Sequence, residues 1–274
     1  MKSKQPIVIF TDLDGTLLSE VDYDPGPAQP ALDRCRRNGI PVVFCSSKTA
    51  AEIIELRKTL HNPDPFICEN GGAVYLPATS FPEKDVPTRR EGDFEIIPIG
   101  APVTRLRTAL KEAAARSGAV VKGMGEMDLE EVCRLTGLNA AEAALARRRA
   151  YDEPFILISG DPDALEREIR AAGYTMTRGG RFFHILGGSD KGKAVHVLTD
   201  LFRRRFGTVT TVAIGDAPND LAMFEAVDRA FLVQKPTGEW MPLPNLPHLI
   251  KIVGIGPEGW ARAVGSLLDE TGYR

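Results

Sequence analysis

Residues 7–17 read IVIFTDLDGTL, and the fold turns on how this stretch is read. Four apolar residues, 7–10, run without a polar break. They predict a strand buried on both faces, as central strands of a parallel sheet are. The run then meets Asp12 and Asp14, two carboxylates two residues apart at the carboxyl end of the strand. In open α/β sheets that end is where ligands bind. Burying carboxylates costs free energy unless a cation or hydrogen-bond donors compensate. Gly15 lets the backbone turn tightly and approach a ligand closely. An isolated Asp-x-Asp also fits a plain strand-to-loop turn, so the rest of the chain has to decide.

Working outward, residues 31–38 predict a helix stopped by Gly39, and 40–45 a second buried strand ending in Ser46, Ser47, Lys48 and Thr49. Thr49 and Glu52 have capping-box spacing for the next helix. Residues 66–68 make a short third strand followed by Glu69, Asn70, Gly71 and Gly72. The pattern so far is β-α-β-α-β with a polar cluster after each strand. Prolines at 82, 87 and 98 and the charged run 83–95 mark a boundary. Beyond it, helices are expected at 103–117, 128–136, 140–150 and 163–172, with a strand at 155–159. Residues 174–178 and 181–186 read as a hairpin around Gly179-Gly180. After Gly188 the first pattern returns: a helix from Lys191, a buried strand at 209–214, then Gly215, Asp216, Ala217, Pro218, Asn219 and Asp220. The expected fold is α/β: a doubly wound parallel-sheet core from residues 1–83 and 187–274, with an α+β unit, 84–186, inserted into it.

The 274 residues carry 34 Lys plus Arg against 37 Asp plus Glu, a net charge of -3, which argues against a broad basic face for nucleic acid. No apolar run approaches the roughly 20 residues a membrane span needs. The N-terminal MKSKQPIVIF is too short in its apolar part for a signal peptide. Cys35, Cys45, Cys68 and Cys133 form no Cys-x-x-Cys pair, which points to a reducing cytoplasm and no disulfide framework. Residues 254–259 satisfy Gly-x-Gly-x-x-Gly, yet the chain that follows is too short for the rest of a dinucleotide-binding unit. They read as a tight strand-to-helix turn.

If the three strands are neighbours, Asp12, Asp14, Ser46, Asp216 and Asp220 converge on one crevice. Several carboxylates in one place repel, so a hard divalent cation is implied. Oxygen-only ligands favour Mg²⁺ over zinc or copper. A helix start carrying Lys191 adds positive charge. Carboxylate, metal, Lys and Ser together are the parts that phosphoryl transfer requires.

IVIFTDLDGTL, FCSS, DKGKA and GDAPND resemble, in order, the four motifs of haloacid-dehalogenase-superfamily phosphatases. The resemblance spans essentially the whole chain. It implies that Asp12 is a nucleophile attacking phosphorus and that Asp14 is general acid, then general base. Ser46 would hydrogen-bond the phosphoryl group and Lys191 would stabilise its charge. Mg²⁺ would be held by Asp12, the Asp14 carbonyl and Asp216, with Asn219 and Asp220 orienting Lys191 or the metal's waters. The insertion would be a cap that selects substrate. Its EEVCRLTGL, RRAYDEPF and TRGGRFFHI, with SSKT and ENGGAVY of the core, resemble the mannosyl-3-phosphoglycerate phosphatase family. That implies a small-molecule substrate with a phosphate, a carboxylate and a hexose. Glucosyl-3-phosphoglycerate, another sugar phosphate, or a phosphohexomutase reaction are the alternatives. Candidate substrate contacts are Ser47, Lys48, Glu69 and Asn70 at the core–cap junction. In the hairpin they are Arg178, Gly180, Arg181 and His184, with the arginines offering planar forks for anions.

Overall fold

The structure is a computed structural model that describes residues 5–82, 85–179 and 182–273. The first block holds β1 (Ile7–Thr11), α1 (Gln29–Arg37), β2 (Val42–Cys45), α2 (Ala50–Thr59), β3 (Phe66–Cys68), β4 (Ala73–Pro77), β5 (Arg89–Glu91) and β6 (Phe94–Pro98). The middle block holds α3 (Val103–Ser117), β7 (Val120–Gly123), α4 (Leu129–Thr136), α5 (Ala140–Ala146), β8 (Asp152–Ser159), α6 (Pro162–Ala171), β9 (Thr175–Gly179) and β10 (Phe182–Leu186). The last holds α7 (Lys191–Phe206), β11 (Thr210–Gly215), α8 (Leu221–Glu225), β12 (Arg229–Gln234), β13 (Leu249–Ile255) and α9 (Pro257–Glu270).

β1 lies inside a nine-stranded sheet of order β13-β12-β11-β1-β2-β3-β4-β6-β5. From β13 to β3 the strands are parallel; β4, β6 and β5 extend the sheet antiparallel. All five residues of β1 are buried, and they alternate between two cores. Ile7 and Ile9 face a cluster that includes Phe44, Val212 and Trp260. Val8 and Phe10 face another built on Leu198, Phe202 and Phe224. This two-sided burial is what the unbroken apolar run predicts for a parallel strand. Trp260, fully buried on α9, donates its indole N–H to Thr11 Oγ1 at 2.9 Å, pinning the strand one residue before Asp12.

The middle block forms a four-stranded antiparallel sheet, β7-β8-β10-β9. On one face Phe155, Phe183 and Ile185 pack against Leu106 and Leu110 of α3 and Leu165 and Ile169 of α6. On the other, Ile156 and Phe182 meet Met124, Met127, Val132 and Ala143.

Two expectations shift. The boundary was placed at residue 84, but β5 and β6 belong to the large sheet, so in hydrogen-bonding terms the core runs to Pro98. Phe94 explains why: its ring packs edge-on to Phe66 and Tyr75, with centroids 5.5 and 5.9 Å away, inside a stretch whose charges and prolines hid a strand. The helix expected at 140–150 ends at Ala146, because the next residues turn back to the core. Tyr151 is buried in the core's own apolar cluster. The middle block is thus held by two chain crossings and by this third, non-covalent anchor.

Candidate active site

Three parallel strands, β2, β1 and β11, deliver side chains to one edge of the large sheet. Asp12 follows β1, Ser46 follows β2 and Asp216 follows β11. Lys191 opens α7, whose preceding residue Asp190 accepts from the Lys193 N–H at 2.8 Å as an N-cap. The Lys191 ammonium is almost fully buried and donates to Asp12 Oδ1 and Asp220 Oδ1, both at 2.6 Å. Asp220 Oδ2 accepts from the backbone N–H of Asp216 and of Ala217 at 3.0 and 3.1 Å. Asp220 is therefore spent on both oxygens and acts as a backing group.

Asp12, Asp216 and Asp220 bring carboxylate oxygens within 4.8 Å of one another. Burial, together with Asp220 and Asp216, pushes the Asp12 carboxyl well above its ordinary value, and Lys191 only partly offsets this. Burial and Asp220 likewise push Asp216 up to about 6, against Lys235 and Thr16. Burial alone would lower the Lys191 ammonium, but Asp12 and Asp220 outweigh it and hold it above its usual value. Crowded carboxylates that resist ionisation are the electrostatic signature of a site short of one positive charge. The donors are all oxygens, and Asp12 Oδ2 has no protein partner among the described residues and keeps contact with solvent. The set fits a hard divalent cation.

Gly15 shows how tightly the loop is drawn. Its φ is +80°, and a Cβ there would stand 2.8 Å from both Asp216 Oδ2 and Glu20 Oε1. Thr16 Oγ1 donates to Asp216 Oδ1 at 3.0 Å. Asp14 is more open, with its side chain 35% exposed, and Lys48 Nζ lies 2.9 Å from its Oδ1. Lys48 also sits 4.7 Å from the centroid of the Tyr23 ring. Ser46 Oγ accepts from the Lys48 N–H at 3.2 Å, which leaves its own hydroxyl proton free to donate.

The junction residues lie differently from the expectation. Glu69 is 1% exposed and turns away from the cleft. Its carboxylate accepts the backbone N–H groups of Ala150, Tyr151 and Asp152 at 2.8–3.1 Å, clasping the inserted unit to the core. Burial pushes it up to about 7, with Arg149 and the backbone donors opposing. Glu69 and Asn70 both have positive φ, at 49° and 54°, a costly pair for non-glycine residues. Gly71 follows at +90°, where a Cβ would stand 2.0 Å from the Asp190 carbonyl oxygen. This turn seats the start of α7. Ser47 offers its carbonyl to Arg149 Nη1 at 2.7 Å. Asn219 donates to Asn70 Oδ1, and Asn70 donates to Asp152 Oδ2, each at 3.2 Å.

In the hairpin, Gly179 pairs with Phe182. Gly180 and Arg181 lie outside the described residues. Arg178 is exposed, with its guanidinium 5.3 Å from the Phe183 ring, on the sheet face that α3 and α6 cover. His184 is on the opposite face, buried against Asp152. The structure does not bring Arg178 to the carboxylate cluster. Conversely, Lys235 was not anticipated. Its ammonium bonds Asp216 Oδ2 and lies 3.6 Å from Glu20 Oε1. It stands just past the apolar run of β12, a polar residue at the end of a buried parallel strand. That is the same signal that singled out Asp12 and Asp216.

The haloacid dehalogenase-like hydrolase profile matches residues 9–86. The chain belongs to that family. It is 42% identical over 266 residues to the glucosyl-3-phosphoglycerate/mannosyl-3-phosphoglycerate phosphatase of Methanococcoides burtonii, covering 96% of this chain and 97% of that one. It is 41% identical over 226 residues to the mannosyl-3-phosphoglycerate phosphatase of Pyrococcus furiosus, covering 82% and 90%. The fold matches a haloalkanoate-dehalogenase-superfamily phosphatase of Bacteroides thetaiotaomicron with a TM-score of 0.67 at 17% identity, over 100% of this chain and 97% of that one. The sucrose-phosphatase of Synechocystis, solved with sucrose and phosphate, matches at 0.62 and 15%, over 98% and 99%. Among the described residues, no helix is long and apolar enough to cross a membrane.

Proposed function

We propose that the protein is a Mg²⁺-dependent phosphatase that hydrolyses mannosyl-3-phosphoglycerate to mannosylglycerate and phosphate, the last step in making a compatible solute in the cytoplasm. One observation supports the chemistry above the others. Asp12 holds one oxygen against Lys191 and leaves the other open to solvent, at the meeting point of two further carboxylates. Identity to glycosyl-3-phosphoglycerate phosphatases along 96% of the chain supports the substrate class. Because the M. burtonii relative is named for both sugars, glucosyl-3-phosphoglycerate is the second reading.

In this mechanism Asp12, the Asp14 carbonyl and Asp216 would hold Mg²⁺, which when bound would supply charge neutralisation at the phosphoryl oxygens. Lys191 and the Ser46 hydroxyl bind the same oxygens and orient phosphorus in line with Asp12 Oδ2. Asp12 attacks phosphorus, the bond to the glycerate oxygen breaks, and Asp14 gives its proton to the leaving alkoxide. The product is an aspartyl phosphate, which divides one difficult displacement into two easier ones. Asp14, now a carboxylate, takes a proton from water. The hydroxide attacks phosphorus, releasing phosphate and restoring Asp12. The inserted unit acts as a cap over this site and selects the leaving group. The test is phosphate release by the purified protein with and without Mg²⁺, across both glycosyl-3-phosphoglycerates, 3-phosphoglycerate and hexose phosphates. The expected result is Mg²⁺-dependent turnover favouring the glycosyl-3-phosphoglycerates. Preference for a hexose phosphate, or isomerisation without phosphate release, would overturn the reading.

A further inference from the structure

His184 and Asp152 form a buried pair on the cap sheet that the phosphoryl-transfer chemistry does not use. Imidazole Nδ1 lies 2.8 Å from Asp152 Oδ2 and 3.1 Å from Oδ1. The Asp152 side chain is wholly buried and that of His184 is 8% exposed. Asp152 also accepts from Asn70 Nδ2 at 3.2 Å, and the Arg149 guanidinium stands 3.5 Å away. A carboxylate surrounded by donors can only accept, so the proton between the two belongs to Nδ1. In the neutral ring that leaves Nε2 as the acceptor. Nε2 has no partner among the described residues, yet it keeps contact with solvent.

Its direction follows from strand alternation. His184 shares a face of β10 with Phe182, whereas Phe183 and Ile185 pack under α3 and α6. The face carrying His184 is therefore the one opposite those two helices, where Phe182 packs with Met124, Met127, Val132 and Ala143, and β9 beside it lies against the Pro218–Asp220 turn of the core. The linkage Asn219–Asn70–Asp152–His184 ties the imidazole, through three hydrogen bonds, to the turn that follows the metal-binding Asp216.

We propose that Asp152 and His184 form a cap dyad that presents the Nε2 lone pair to a hydroxyl of the substrate's hexose, with Asp152 as the positioning residue that fixes the tautomer. The assignment rests on the proposed function. It makes the dyad a reader of the sugar, the part of the substrate farthest from phosphorus. A buried carboxylate holding one ring nitrogen so that the other faces a ligand is the arrangement that orients imidazoles at metal and catalytic sites.

The experiment measures kcat/KM for mannosyl-3-phosphoglycerate and for 3-phosphoglycerate, which lacks the sugar, in wild type, His184→Ala and Asp152→Asn. Loss of one hydrogen bond to a substrate hydroxyl lowers the ratio of the two values about tenfold, chiefly through KM for the sugar-bearing substrate. Asp152→Asn should lower it similarly while the imidazole stays in place. An amide donates to Nδ1, moves the ring proton to Nε2 and removes the acceptor. ¹⁵N shifts of the imidazole should report protonated Nδ1 and bare Nε2 in wild type, and the reverse in Asp152→Asn. Equal losses on both substrates in His184→Ala, or a wild-type ring protonated at Nε2, would overturn the dyad while leaving the phosphatase reading intact. Wild type that turns over 3-phosphoglycerate but neither glycosyl substrate would overturn the glycosyl-3-phosphoglycerate reading and the sugar assignment together. Should Asp152→Asn fail to fold, His184→Ala and the wild-type ¹⁵N shifts still decide.

Discussion

Charged side chains of the core cleft and of the cap hairpin are placed by different rules. In the core, Asp12, Ser46 and Asp216 follow the ends of adjacent parallel strands, and parallel order alone makes them converge. In the cap, Arg178 and His184 lie within paired antiparallel strands, where alternation decides which face each takes. A strand end commits a residue to a location; a strand interior commits it only to a parity. Three buried carboxylates and Lys191 are consequently locked to one another, while Arg178 rests on the surface beside Phe183.

The largest expected effect tests the locked side. On the proposed mechanism Asp12→Asn removes the attacking oxygen and should lower kcat by at least about 10³-fold, the order seen when a nucleophile is lost. The fold should survive, because burial already disfavours the charge that the change removes. Phosphate release together with a thermal melt checks both halves. Retained turnover would mean that another group attacks phosphorus.

Glu69 sharpens the contrast from the junction, and its effect is on stability. Its carboxyl is pushed from 4.5 to about 7 in the folded chain. The folded state therefore binds more protons than the unfolded chain between those values, so the Glu69 contribution is full below about pH 4.5 and is lost as pH rises through 7. Across that window wild type should lose on the order of 2–4 kcal/mol from this group. Glu69→Gln can keep one oxygen on the N–H groups of residues 150–152 and should flatten the loss. Urea unfolding of both proteins at pH 5, 6 and 7 measures the difference. Parallel curves for the two would assign the pH dependence to other carboxyls.

Much of this was legible in the residues. The unbroken apolar runs gave the parallel strands, and Thr49 with Glu52 and Asp128 with Glu131 form the capping boxes their spacing announced. Lys235 was legible too, by the strand-end rule, but the Gln-Lys-Pro at the end of β12 carries no carboxylate to draw attention. β6 was hidden, because its apolar positions count only once Phe66 and Tyr75 are known to lie beside Phe94, and β5, an exposed Arg-Arg-Glu, has none. The Arg149–Asp152 segment was hidden for a similar reason. Its task is to offer backbone N–H groups to Glu69, and backbone groups leave no mark in a sequence.

Arg178 gives the smallest effect and the sharpest test of the parity rule. Pairing of Arg178 with Phe183 and of Thr177 with His184 puts the arginine and the imidazole on opposite faces. A register shifted by two residues would leave that parity unchanged, because alternation has period two. The two-residue turn expected at Gly179-Gly180 gives the same parity, so the separation of Arg178 from His184 was open to sequence reasoning, yet both counted there as substrate contacts because the planar fork of an arginine suits an anion. Arg178→Ala should change kcat/KM for mannosyl-3-phosphoglycerate by less than about twofold and stability by no more than about 0.5 kcal/mol, as for an ordinary surface residue. A tenfold loss on that substrate, with 3-phosphoglycerate unaffected, would show that the hairpin twists in solution enough to swing the guanidinium round to the cleft. The cap would then place its charges by motion rather than by parity.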